Sequence, residues 1–324
     1  MAVPTNTVET YNRVGIREDL ADVIYNITPS EVPFMSNAAK GTASQTLYEW
    51  QTDSLEAAGA NSQKEGDDYA LDSRNATVRL NNNTNISAKT VGVSGSDQAV
   101  TNAGRGDELA YQMAKAGKEL KRDMEFMNVG VENAKAAGSS GTARESASVG
   151  TWYGGNIPGT STAAGNFSTN GSPSATPAGT GATAIAGGTN RTFTEALLKT
   201  GLKKCYELGG NPDVVMMSAS HKQLASAFSG VATLYKNADD KTVIGAVDVY
   251  VSDFGEVSFV PNRHQQANRV DILEMDKWEI AYLRPFQTKD LASSGDNEKR
   301  LLLAEWTLVA RSPNANFGIF NLTA

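Results

Sequence analysis

An α+β fold follows from three features of this 324-residue chain. One long stretch carries a single apolar stripe at helical spacing. Several short stretches alternate apolar and polar residues, as half-buried strands do. No internal repeat of about 20 to 50 residues is visible, which excludes solenoids and propellers. The composition agrees: 40% of residues are hydrophobic and 20% charged, as in a folded protein. The length predicts about two domains with real cores.

Residues 1–45 read as an extended arm. Leu20, Val23 and Ile24 recur at helical spacing, and the short helix they predict stops near Thr28-Pro29. Pro33 predicts a second turn at Pro33-Phe34-Met35. Such an arm cannot hold a core, so its apolar residues must pack on something else. Residues 46–93 read as a long two-stranded excursion. Leu47, Tyr48 and Trp50 favour an outgoing strand, Ala76, Val78 and Leu80 alternate on the return, and residues 86–93 extend it. Asn81-Asn82-Asn83 predicts a bend or bulge. The tip, residues 57–73, is polar and acidic, with Glu65, Asp67, Asp68 and Asp72 around Lys64. A hairpin of this kind is poorly stable alone and would gain stability by lying on a neighbour.

The helical signal is clearest over residues 107–135. Leu109, Met113, Ala116, Leu120, Met124, Met127 and Val131 form one stripe, with Asp107 as the N-cap. Lys115, Lys118 and Arg122 share another face, diluted by Glu119, Asp123 and Glu125. Residues 136–190 are low in complexity: 40 of the 55 are Gly, Ala, Ser or Thr, which predicts a long, mostly exposed loop. Trp152, Tyr153 and Ile157 predict that part of it is anchored. Residues 191–324 read as a mixed α/β unit. Thr192 to Glu195 has capping-box spacing, a helix runs to Gly209-Gly210, and strands follow at residues 214–217, 247–251, 257–259, 270–275, 279–284 and 301–311.

Chemistry is sparsely represented. A single cysteine, Cys205, excludes an internal disulfide and cysteine-rich metal centres. His221 and His264 are the only imidazoles. Ser218 and Ser220 beside His221 raise a nucleophile–base pair, but no Gly-x-Ser-x-Gly elbow surrounds them, and N-capping of a helix explains the serines. Both histidines read as surface or packing residues. Asp67-Asp68 and Asp239-Asp240 lack calcium-loop spacing. Gly104-Arg105-Gly106 lacks the full dinucleotide pattern and reads as a tight turn. We therefore expect no catalytic residues, no metal and no cofactor. The net charge of −7 argues against coating of nucleic acid, so the lysine face reads at most as a weak phosphate-facing stripe. No apolar run approaches a membrane span, and residues 1–6 do not read as a secretory leader. A reducing cytoplasm is the expected compartment.

The order of arm, long hairpin, long helix, insert and α/β unit resembles the major capsid proteins of tailed double-stranded DNA phages with the Hong Kong 97 fold. The likeness extends to short motifs. Arg17-Glu18-Asp19-Leu20-Ala21-Asp22-Val23-Ile24-Tyr25 is similar to the arm of one capsid subfamily. Gly209-Gly210-Asn211-Pro212 and Ser218-Ala219-Ser220-His221-Lys222 are similar to the start of its axial domain. Val249 to Gly255 with Val260-Pro261-Asn262-Arg263 is the most specific stretch, continued by Ala281 to Phe286, Gly295-Asp296 and Lys299-Arg300.

The resemblance implies a Hong Kong 97-type α+β fold in four parts. These are an arm (1–45), an extended hairpin loop (46–100), a peripheral domain with a spine helix (101–210), and an axial domain (211–324) whose strands return to the peripheral domain. It implies a shell subunit that forms pentamers and hexamers of an icosahedral head around double-stranded DNA. Its partners would be other copies of itself, a separate scaffolding protein, a portal protein at one vertex, a decoration protein, and packaged DNA held by weak non-specific contact. It would be assembled in the bacterial cytoplasm, with no membrane partner. Only about 45 residues precede the hairpin, which is the reason for expecting a separate scaffold. Leu20, Ile24, Tyr48, Trp50, Lys64, Asp67 and Asp68 are the expected intersubunit residues, and Lys115, Lys118 and Arg122 the expected DNA-facing ones. Some relatives cross-link a hairpin lysine to an asparagine. Lys64 lies among polar residues that predict solvent or an ion pair, so covalent linkage is not expected here. A cellular nanocompartment shell of the same fold and a cytoplasmic hydrolase using Ser220 and His221 are the competing readings.

Overall fold

The computed structural model describes residues 28–323 except positions 54, 57, 67, 69, 70, 72, 73, 75, 101, 103, 105, 155–165 and 229–247. The helix expected near Leu20 and Ile24, and the Asp239-Asp240 pair, lie outside the described residues. The described chain opens with helix α1 (Pro33–Asn37), strand β1 (Ala39–Thr42) and the strands β2 (Leu47–Thr52) and β3 (Val78–Asn83). Next come β4 (Asn85–Ser94), α2 (Gly95–Ala99) and the long helix α3 (Glu108–Glu125). Short strands β5 (Phe167–Ser168), β6 (Pro173–Ala175) and β7 (Ala186–Gly187) precede α4 (Glu195–Glu207), β8 (Val214–Met217) and α5 (Ala219–Ser226). Strands β9 (Val249–Ser252), β10 (Gly255–Pro261), β11 (Val270–Leu273), β12 (Trp278–Leu291), β13 (Asn297–Ala310) and β14 (Phe317–Ile319) follow.

Two sheets organise these elements. A four-stranded sheet has the order β1-β12-β13-β4, with β12 and β13 as a long antiparallel pair. The stripe of α3 packs on it: Leu120 and Met124 join Leu302, Ala304 and Trp306 in one buried core. A six-stranded mixed sheet has the order β5-β14-β11-β8-β10-β9. Its core gathers Leu198, Leu202 and Cys205 of α4 with Val215, Met217, Val257, Phe259 and Ile272. Helix α4 thus belongs to the six-stranded layer, whereas the division at residue 210 would place it with the long helix.

Several local expectations change. Asp107 does cap α3, accepting the Ala110 N–H at 3.0 Å. The helix, however, stops at Glu125 and relaxes into a π turn, Phe126–Gly130, instead of running to residue 135. Asn128 Nδ2 donates to the Met124 carbonyl at 2.9 Å and competes with the helix ladder there. The capping box at Thr192 does not form: Thr194 is the N-cap, and Glu195 turns to Lys199 (2.8 Å) and the Tyr250 hydroxyl (3.2 Å). Asn81-Asn82-Asn83 is regular strand and neither a bend nor a bulge, paired from Asn83↔Leu47 to Asn81↔Glu49. Residues 86–93 do not extend the hairpin. They run in β4, antiparallel to β13 from Asn85↔Trp306 to Ser94↔Asn297.

The largest correction concerns residues 136–190, whose described residues, 136–154 and 166–190, are not a mostly exposed loop. Val149, Trp152 and Tyr153 are fully buried in the first core. Tyr153 donates to Asp271 Oδ1 at 2.8 Å, and β5 pairs in parallel with β14 at the edge of the six-stranded sheet. Strands β6 and β7 pair with each other. Small residues permit close backbone approach as readily as they permit mobility, so composition alone could not separate the two outcomes.

Candidate functional site: the assembly surfaces

The hairpin has an anchored base and a bare tip. At the base, Leu80 is buried, and Trp50 Nε1 donates to the Ala310 carbonyl at 2.9 Å. The Trp50 ring packs against Trp152 with centroids 5.3 Å apart, and Tyr48 leans on Trp50 at 6.1 Å. Asn82 is fully buried with its amide satisfied on both sides. Its Nδ2 donates to Ser146 Oγ (3.0 Å) and the Leu308 carbonyl (2.7 Å), and its Oδ1 accepts the Ala147 N–H (3.0 Å). Lys135 Nζ donates to Asn81 Oδ1 at 2.7 Å, and burial pushes this lysine below its ordinary value. Trp50, expected between subunits, is therefore spent largely within its own chain. Half-buried Tyr48 sits beside it.

Beyond Thr52 the hairpin leaves the body. The described residues from Asp53 to Thr77 carry no strand and are exposed. Leu55 is 97% and Leu71 100% exposed, the largest apolar exposures among the described residues. Lys64 and Asp68 are exposed on the same excursion, while Asp67 lies outside the described residues. Single exposed leucines are ordinary on a surface, and these two lie on a projection that has no core of its own among the described residues.

The lysine face of α3 is less uniform than its spacing implied. Lys115 and Lys118 are exposed, but Lys115 lies 3.9 Å from Glu119, and Arg122 is half-buried. Lys89 reaches across from β4 to Asp123 at 2.6 Å, and Lys121 lies over the Phe286 ring at 5.9 Å. The exposed cations of α3 are thus Lys115, Lys118 and Lys121, with acids interleaved.

The serine–histidine pair exists as geometry but not as a usable site. Ser218 Oγ lies 2.7 Å from His221 Nδ1, in place of the N-cap bond expected of it, and 3.1 Å from Ser220 Oγ. His221 is fully buried against Phe193, and burial pushes its pKa down. Its Nε2 is buried with no hydrogen-bond partner among the described residues, and none of their acids orients the ring. Cys205 is equally closed off: burial pushes its thiol up to about 12, far from a reactive thiolate.

The polar interior is structural. Arg269 is fully buried between Asp271 (2.9 Å) and Glu132, and donates to the Val129 carbonyl at 2.9 Å. Gln265 Nε2 joins Asp271 at 2.7 Å. This network joins the end of α3 to the six-stranded layer, and nothing in it opens to a substrate. Sequence reading missed it, because Glu132, Arg269 and Asp271 look like ordinary surface charges until the fold brings them together.

Comparison with known proteins agrees with a shell built from extended contacts. The profile of the family described as SU10 major capsid protein matches residues 3–323. A major capsid protein of Escherichia phage Phieco32 is 27% identical over 354 aligned positions, covering 99% of this chain and 98% of that protein. Among solved structures, the capsid asymmetric unit of Cyanophage A-1(L) superposes with a TM-score of 0.63 at 15% identity, covering 95% of this chain and 98% of that one. A structure described as Phage G major capsid proteins and decoration proteins gives a TM-score of 0.52 at 9% identity, with both chains fully covered. With the profile spanning nearly the whole chain and the fold shared with phage capsids, the protein belongs to the SU10 major capsid protein family: it is a structural subunit of an icosahedral phage capsid, with the Hong Kong 97-type α+β fold, and not an enzyme.

Proposed function

We propose that the subunit closes into pentamers and hexamers through its arm and hairpin, and that the resulting head encloses double-stranded DNA. The single observation that carries this is the hairpin tip, which exposes Leu55 and Leu71 with no core of its own. Heterologous contacts of such projections close into rings and then into a shell. Leu20 and Ile24 of the arm, with Tyr48, Lys64, Asp67 and Asp68 of the hairpin, supply these contacts. Trp50 acts one step back, holding the hairpin base on Trp152. The finer partners belong to the same reading: a separate scaffolding protein, a portal at one vertex, a decoration protein, and assembly in the host cytoplasm. Lys115 and Lys118 face the packaged DNA, with Arg122 contributing less because it is half-buried. A chain of net charge −7 then touches DNA weakly and without sequence preference.

Deletion of residues 57–73 tests the reading. The subunit should stay folded and soluble while shells, assayed by sedimentation and electron microscopy, fail to form. Normal shells from that variant would refute it. Lys64 is read as solvated or ion-paired across subunits. Boiled particles should therefore run as one band at 34.3 kDa on a denaturing gel. A covalent ladder that vanishes in Lys64→Ala would overturn that assignment.

A further inference from the structure

We propose that Glu125 couples docking of the arm segment 28–38 to the seating of the six-stranded layer on the end of α3. Glu125 is the last residue of α3 and is fully buried. Its Oε1 accepts the Phe34 N–H at 2.9 Å and Asn262 Nδ2 at 2.6 Å, and its Oε2 accepts the Met35 N–H at 2.9 Å. Helix α1 has no side-chain cap of its own, and Pro33 brings no N–H. The carboxylate of a distant helix therefore takes the free donors of its first turn. Phe34 is fixed from the other side, edge-on to Trp278 at 5.9 Å.

The third donor comes from the other layer. Asn262 directly follows β10, is buried, and donates its N–H to the Met217 carbonyl at 2.9 Å. One turn beyond Glu125, the Val129 carbonyl accepts the Gln266 N–H (3.2 Å) and Arg269 Nη2 (2.9 Å). The end of α3 thus holds the arm on one side and residues 262–269 on the other, and Glu125 touches both. All three of its donors are neutral N–H groups. Losing the arm strips two of three from a buried charge, which is costly unless the helix end shifts to admit water. Residues 262–269 rest on that same helix end. By linkage, the factor by which an undocked arm weakens the seating of Asn262 equals the factor by which an unseated Asn262 weakens the docked arm. The π turn that starts at Phe126 gives the helix end a local irregularity in which such a shift can be absorbed. An arm drawn away by a neighbouring copy would then be felt in the six-stranded layer.

Amide hydrogen exchange on the full-length unassembled chain tests this. Asn262→Ala should speed exchange at the Phe34 and Met35 amides, and Phe34→Leu should speed it at residues 262–266, each by about tenfold. In a Glu125→Gln background both cross-effects should shrink to near unity. The proposal is overturned if Asn262→Ala acts only on 262–266 or Phe34→Leu only on 28–38. It is equally overturned if the cross-effects persist undiminished without the carboxylate, since the coupling would then run through packing. Where Asn262→Ala does not fold, Asn262→Ser replaces it. Where the Glu125→Gln background does not fold, Glu125→Asp, which draws the carboxylate back by one methylene, replaces it, and undiminished cross-effects again refute the coupling.

Discussion

The hairpin tip, residues 53–77, and the stretch 136–190 read alike as sequences: polar, poor in apolar residues, without periodicity. The fold treats them oppositely. The tip leaves the body with Leu55 and Leu71 bare. The second stretch has Trp152 and Tyr153 sealed inside, with Tyr153 bonded to Asp271. The difference lies in where the few large residues can go. Trp152 finds Trp50 and the four-stranded layer within its own chain, whereas Leu55 and Leu71 are bare among the described residues. Composition reports how much apolar surface a segment has, not whether a partner for it lies within the same subunit.

The comparison breaks most readily at the tryptophan. Trp152→Ala removes a fully buried ring and should cost about 3–5 kcal/mol in urea unfolding of the subunit. Leu71→Ala should cost less than about 0.5 kcal/mol in the same assay while lowering the yield of shells. Equal costs would show that the two regions are not different in kind.

A pair of glycines sharpens it. Gly181 has φ +70°, and an added Cβ would meet the Trp152 ring at 2.8 Å and the Ala147 Cβ at 2.9 Å. Gly66 at the tip has a similar φ of +79° with open space around it. Gly181→Ala should therefore cost about 2–4 kcal/mol, backbone strain plus overpacking, and Gly66→Ala about 1 kcal/mol from strain alone. Thermal or urea unfolding separates them.

Limited proteolysis with a broad-specificity protease offers a third comparison. The first cuts in the free subunit should fall within residues 53–77, with 136–154 and 166–190 protected. Early cuts in those two protected stretches, mapped by mass spectrometry, would reverse the assignment.

The smallest expected effect is one of pH. Glu132 packs beside the anchored stretch, and burial raises its pKa above 4.5 despite the neighbouring Arg269. A raised folded-state pKa means that its stabilising contribution is complete below about 4.5 and is lost as pH rises through the raised value. Glu132→Gln should flatten the decline of subunit stability above that point, by less than about 1.4 kcal/mol per pH unit. Parallel wild-type and variant profiles of the urea midpoint against pH would remove Glu132 from the account.

Much of the architecture was readable because the signals are local. The stripe from Leu109 to Met124 and the Asp107 cap specify α3 with no other part of the chain. The alternation in Val249–Ser252 and Gly255–Pro261 specifies a hairpin in the same way. Boundaries failed where another group competed, near or far in sequence. Asn128 ends the regular helix early, Tyr250 and Lys199 draw Glu195 away from a capping box, and β13 recruits β4 from the hairpin. Of the surface proposed for assembly, composition marks the tip as polar and acidic, but Trp50 could not be told from an intersubunit anchor before Trp152 was placed beside it.

By itself the sequence determined the α+β class, the long helix, the strands of residues 191–324 and the absence of a familiar catalytic motif, because periodicity, caps and turns act over a few residues. Its short motifs also carried the capsid resemblance. Only the tertiary structure decided that Val149, Trp152 and Tyr153 pack inside, that Arg269 is buried between Asp271 and Glu132, and that Glu125 holds the arm and Asn262 together. Each of these depends on a partner more than 85 residues away for Glu125, and 137 away for the Arg269–Glu132 bond. A buried charge looks like any surface charge until the chain folds, since its cost and its partners exist only once water has been excluded around it.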